Sequence, residues 1–151
     1  MTKFVDSFDA TVIHFFRRDG VAMARIALFI VYFWFGLLKI IAVSPANPLV
    51  SALLAKTLPF ITFHQFIVFF GVYEMLIGIC FLIPRFERVA IALLVPHLIT
   101  TIMPLIMLPA ITWSTVFVPT LEGQYIIKNV LIIALAMGIA AHLHPFHSHE
   151  K

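Results

Sequence analysis

VAMARIALFIVYFWFGLLKIIAV, residues 21–43, is apolar throughout except for Arg25, Lys39 and the hydroxyl of Tyr32. About 20 such residues make one helix long enough to cross a hydrocarbon core about 30 Å thick. Three further runs have the same character, at residues 63–83, 89–111 and 125–141. Ser44-Pro-Ala-Asn-Pro48 closes the first through its prolines, and Pro84-Arg-Phe-Glu-Arg88 makes a short charged turn between the second and third. Residues 112–124 form a second exit loop, and residues 49–60 suit a short helix at the surface. Pro96, Pro104 and Pro109 fall inside the third run and predict a kink, tolerable where neighbouring helices satisfy the freed carbonyls. The expected fold class is therefore all-α: a polytopic membrane protein built as a four-transmembrane-helix bundle.

Composition agrees. With 62% hydrophobic and 11% charged residues and a mean hydropathy of +1.08, the chain cannot hide its apolar surface from water. Four spans take up most of its 151 residues, which predicts a single membrane domain over 1–151. Residues 1–20 place Phe4, Phe8, Val12, Phe15 and Phe16 at helical spacing, with Lys3, Asp6, Asp9 and Arg17 elsewhere. This pattern predicts an N-terminal amphipathic interfacial helix ended by Asp19-Gly20. Its charges also argue against a cleaved signal peptide.

Cys80 is the only cysteine, so an internal disulfide, a CxxC pair and a cysteine-ligated cluster within this chain are excluded. The formal charge of +3 is scattered rather than gathered on a basic face, which sets nucleic acid aside as a partner. Lys3, Arg17, Arg18, Arg85, Arg88 and Lys151 flank one side, against Lys56 in the opposite loops. The positive-inside bias then predicts both termini in the cytoplasm. Trp113 and Tyr125 fall at the outer interface.

Ionisable side chains within a span are costly, so the faces they occupy are informative. Arg25, Phe29, Tyr32, Gly36 and Lys39 share one stripe; Gly71, Glu74 and Gly78 another; His97, Thr100, Thr101 and Pro104 a third; Lys128, Leu131, Leu135, Gly138 and His142 a fourth. Turned inward, these faces form a polar network of Arg25, Tyr32, Lys39, Glu74, His97, Glu122 and Lys128. Two layers follow from a rise of about 1.5 Å per residue. In the inner layer Glu74 and His97 sit roughly 12–14 Å deep, within reach of Arg25. In the outer layer Lys39 and Lys128 lie near Glu122 and can attract an anion or a polar head group. The tail residues His142, His144, His147 and His149 are candidate ligands for a borderline divalent metal.

Arg25-Ile-Ala-Leu with Trp34-Phe-Gly-Leu-Leu-Lys39, Gly71-Val-Tyr-Glu74-Met-Leu-Ile-Gly78 and Glu122-Gly-Gln-Tyr-Ile-Ile-Lys128-Asn together resemble the DoxX-like family of small four-helix membrane proteins. Thr100-Thr-Ile-Met-Pro-Leu-Ile-Met-Leu-Pro109 is similar to its YkgB-type inner-membrane branch, some of whose members are associated with resistance to reactive chlorine species. The family takes its name from a subunit of thiosulfate:quinone oxidoreductase. The resemblance implies a bacterial inner-membrane location and a role in a redox or oxidative-stress system.

From these residues the expected function is an integral membrane subunit that offers a quinone or small-anion site, with a partner protein holding the redox centre. A non-enzymatic scaffold for a partner and a small transporter are the alternative functions, and a homo-oligomer is the alternative to a redox partner protein. A buried Glu–His pair can relay the protons a quinone takes up on reduction. Haem is not expected, because His97 and His142 differ in depth.

Overall fold

The computed structural model describes residues 2–143, with side chains from Ser7 onward. The chain is mostly helical: α1 (Thr2–Ile40), α2 (Asn47–Thr57), α3 (Phe63–Leu82), α4 (Glu87–Ile102), α5 (Pro104–Met107), α6 (Pro109–Thr112), α7 (Leu121–Ile127) and α8 (Asn129–Ala140). Two short antiparallel strands, β1 (Trp113–Thr115) and β2 (Val118–Pro119), form a hairpin between α6 and α7. Among the described residues, four helical stretches are long and apolar enough to cross a membrane: Ser7–Ile40, Phe63–Leu82, Glu87–Met107 and Leu121–Ala140.

The core is drawn from α1, α3, α4 and α8, where Leu28, Ile77, Phe81, Ala90, Leu94 and Ile139 are almost wholly enclosed. Trp34, Phe35, Phe69, Leu131 and Met137 are more than half exposed. Large apolar side chains on the outside of helices this apolar suit a surrounding of lipid rather than water.

α1 and α3 make the tightest contact, antiparallel and nearly backbone to backbone. A Cβ at Gly36 would lie 2.5 Å from the Gly71 carbonyl oxygen, and one at Gly71 would lie 2.7 Å from that of Gly36. Small residues are what let two helices approach this closely without an apolar driving force between them. α3 starts at Thr62, whose hydroxyl accepts the Gln65 amide, and ends at Ile83, forced into an extended conformation by Pro84. α1 ends with Ala42 in the left-handed region (φ 62°), its amide donating to the Lys39 carbonyl while Val43 donates to Leu38.

Three expectations need correction. There is no break at Asp19-Gly20: α1 runs straight through, so residues 2–20 are not a separate helix. One glycine costs a helix only about 1 kcal/mol relative to alanine, too little to stop a helix with good formers on both sides. The expected span over 89–111 is present as the stretch Glu87–Met107, in which α4 passes into α5 at Pro104, but it stops short of 111 at Leu108, where α6 begins on Pro109. The expected loop over 112–124 holds the hairpin and the beginning of α7. Thr120 caps that helix through the Gly123 amide, and Glu122 sits in its first turn, favourable against the helix dipole. Residues 49–60 overlap α2, which buries Leu53 and Leu54.

The two glycine environments predict opposite outcomes. Gly36→Ala should lower stability by about 1–3 kcal/mol, because the added methyl meets backbone that cannot swing aside. Gly20→Ala, with nothing within 4 Å of the new Cβ, should hold or raise helix content. Thermal unfolding in detergent, followed by circular dichroism, measures both.

Candidate functional site

The contact between Gly36 and Gly71 sets Lys39 on α1 beside Glu74 on α3, and α4 brings His97 to the other side of the same carboxylate. Lys39 Nζ donates to Glu74 Oε2 at 2.6 Å, and His97 Nε2 lies 2.9 Å from Glu74 Oε1. Lys39, Glu74 and His97 are each 5% exposed and Tyr32 is 4% exposed. An ionised carboxylate only accepts hydrogen bonds, so opposite one His97 presents Nε2–H, and in the neutral imidazole Nδ1 is then the acceptor. The Tyr32 hydroxyl faces that nitrogen at 3.5 Å, the longest step in the chain. The result is a line of groups, Tyr32–His97–Glu74–Lys39, in which Glu74 joins a cation to an imidazole.

Aromatic rings hold the imidazole. Phe70 stacks on His97 with centroids 5.1 Å apart and planes 11° apart, and Tyr32 meets it edge-on, also at 5.1 Å. Lys39 Nζ stands 5.6 Å from the centre of the Phe70 ring, so the cation gains a ring face as well as its carboxylate. His97 follows Pro96, which has no amide hydrogen to give to the preceding turn. Tyr73 approaches from α3 and donates its hydroxyl to the Leu93 carbonyl at 2.6 Å, supporting α4 one turn before His97. The signal for Phe70 and Tyr73 was available in the sequence, since they flank Glu74 at i−4 and i−1. They pass for ordinary apolar packing there.

The remaining expected residues lie elsewhere. Arg25 does not pair with Glu74; its Nη1 meets Glu87 Oε1 at 2.9 Å, and its other nitrogens donate to the Phe81 and Leu82 carbonyls. Those carbonyls end α3 and Glu87 begins α4, so Arg25 clamps the turn between the two helices. Lys39 and Lys128 do not form an outer layer. Lys39 turns inward, its flexible aliphatic stem carrying the ammonium to Glu74. Lys128 is exposed, its Nζ 4.9 Å from the centre of the Tyr125 ring, and Glu122 is exposed as well. Among the tail histidines, His142 Nδ1 bonds to the Gly138 carbonyl at 2.8 Å, while His144, His147 and His149 lie outside the described residues. Among the described residues no group of three or more metal-binding side chains comes together.

No family model, curated protein or solved structure matches the chain. The chemistry of the buried line is therefore read from its own geometry. Its members stand next to one another as potential donors and acceptors within the helix bundle, the arrangement that proton-relay chemistry requires.

Because Glu74 compensates a buried cation, Glu74→Gln should destabilise the protein by about 3–5 kcal/mol, and Lys39→Met combined with Glu74→Met should recover most of that loss. Thermal unfolding of Lys39→Met, Glu74→Met and the double variant closes the cycle. A double variant as unstable as the sum of the singles would exclude the pairing.

Proposed function

We propose that the chain is a multi-pass protein of a bacterial inner membrane, with both termini cytoplasmic, serving as the membrane subunit of a quinone-linked redox or oxidative-stress system. In this reading a partner protein supplies two electrons, and the Tyr32–His97–Glu74–Lys39 line passes to the quinone two protons taken up from water, so that its groups return to their starting state. Reduction of a quinone to a quinol consumes two electrons and two protons, so a proton source beside the head group is required. The observation that carries the reading is Glu74, held between Lys39 and His97 in a nearly solvent-free interior. Ionisable residues at such positions are expensive to keep and point to function by default. The resemblance to DoxX-like proteins points the same way.

The orientation draws support from the placement of basic residues. Arg85 and Arg88 lie at the α3–α4 turn, the end that Arg25 clamps, whereas Lys56 caps the far end through the Met107 carbonyl at 2.6 Å. Reporter fusions after Ala46, Glu87, Glu122 and Lys151 should read outside, inside, outside and inside.

A second reading has its own observation: every member of the line is buried and already bonded, as a structural lock would be. The two separate on copurification. Protein taken from native membranes with its lipids should carry quinone detectable by mass spectrometry, and His97→Gln should lose it while keeping wild-type helix content. Wild-type protein that carries no quinone and supports no quinone reduction alongside its copurifying partner would leave the lock, and with it a scaffold.

A further inference from the structure

Between Arg88 and Glu122 the chain carries no Asp, Glu, Lys or Arg, and this uncharged stretch contains the β1–β2 hairpin. Two spans end at the hairpin. Glu87–Met107 and Leu121–Ala140 have 21 and 20 residues, each about 30 Å of helix and so the thickness of a hydrocarbon core. Met107 and Leu121 therefore stand at the same boundary, and the hairpin leaves from it and returns to it. Thr112, Ser114 and Thr120 turn their hydroxyls to the Leu108, Val118 and Ile111 carbonyls, and Gly123 of α7 packs on the Thr112 backbone. The hairpin is thus fixed to α6 and α7, and these polar side chains serve its own backbone. At its tip Val116 is 84% exposed and Phe117 90% exposed. Phe117 also has φ 59°, a left-handed conformation that glycine or asparagine adopts more readily than a bulky residue. A ring held there makes almost no contact within the chain, so any stabilisation it brings comes from outside it.

We propose that the hairpin tip, Val116 and Phe117, is seated in the head-group boundary of the lipid leaflet at that end of the spans, the outer leaflet in the orientation given above. The inference rests on the reading of the chain as membrane-embedded. The tip continues the apolar surface that the spans turn to lipid. Trp113 ties β1 to α5 through the Leu105 carbonyl at 2.9 Å, Ile106 is exposed on α5 beside that bond, and Val118, Leu121 and Tyr125 carry the exposed surface on to α7. Two adjacent apolar side chains with no cover are unfavourable in water. The hydrocarbon interior is closed to the hairpin as well, because its outer strand edges would have no partners there. The boundary between the two accommodates both demands, and it is also the level that the amphipathic rings of Trp113 and Tyr125 favour.

The test places the full chain in nanodiscs of equal parts dioleoyl phosphatidylcholine and dioleoyl phosphatidylglycerol, with Cys80→Ala removing the native thiol and a nitroxide attached through Val116→Cys. Collisions of the nitroxide with oxygen, which concentrates in lipid, are compared with collisions with a water-soluble nickel complex. Oxygen should dominate at the Val116 position. Phe117→Asn suits the left-handed backbone and removes the ring, and should lower the oxygen-to-nickel ratio about tenfold, the worth of one apolar ring moved from lipid to water. Three results would each overturn the seat: nickel dominating with Phe117 in place, few collisions with either reagent because protein covers the tip, or an unchanged ratio in Phe117→Asn. A second label through Ile30→Cys, exposed at the middle of the α1 span, separates this from the larger reading. Nickel dominating at both positions overturns membrane embedding and the hairpin seat together, whereas oxygen at the Ile30 position with nickel at the Val116 position overturns the seat alone.

Discussion

A carboxylate cannot stay ionised in an apolar bundle without compensation, and in this protein Glu74 is compensated by Lys39 at 2.6 Å and His97 at 2.9 Å. The cost of removing such charges from water is several kcal/mol per ion even after relaxation, so the pair is stable only if its geometry is good and its remaining hydrogen bonds are made. Three helices are held to that requirement: α1 brings the cation, α3 the carboxylate and α4 the imidazole. Phe70, between Lys39 and His97, fills the space that water would otherwise occupy.

The glycine contact and the ion pair are one arrangement. Gly71 lies against the Lys39 Cβ and precedes Glu74 by one turn of helix, so the close approach of α1 and α3 also sets the span that the lysine has to bridge. A bulkier residue at Gly36 or Gly71 would push the helices apart and lengthen that bridge. Packing and electrostatics thus depend on the same few atoms, and a steric change on the glycine face carries an electrostatic consequence.

Much of this was legible in the sequence, because a helix puts residues three, four and seven apart on one face whatever surrounds it. Tyr32, Gly36 and Lys39 on one stripe, and Gly71, Glu74 and Gly78 on another, could be read without knowing which helix met which. Pairing was less legible. Depth counted along the backbone put Lys39 and Glu74 in different layers, since it measures Cα positions and a lysine head can sit well away from its own Cα. The same counting matched Arg25 to Glu74 and passed over Glu87, which looked like one more charge in an exposed turn and is in fact 9% exposed. Gly20 misled for a different reason: local propensity suggests a stop that the continuous helical context overrides.

The two corrected pairs give the bundle an electrostatic order that neither has alone. Arg25 is matched by Glu87 at the turn between α3 and α4, and Lys39 by Glu74 further in, so each of these cations has its own carboxylate and the two pairs together add no net charge. His97 is bonded to the second oxygen of a carboxylate already neutralised by Lys39, and Tyr32 touches only the far side of the imidazole. The Tyr32–His97 contact lies outside both ion pairs, so a change confined to it leaves the pairs and the helix contacts they secure in place. The pairs hold the scaffold, and the Tyr32–His97 contact, at 3.5 Å, is the loosest polar link attached to it.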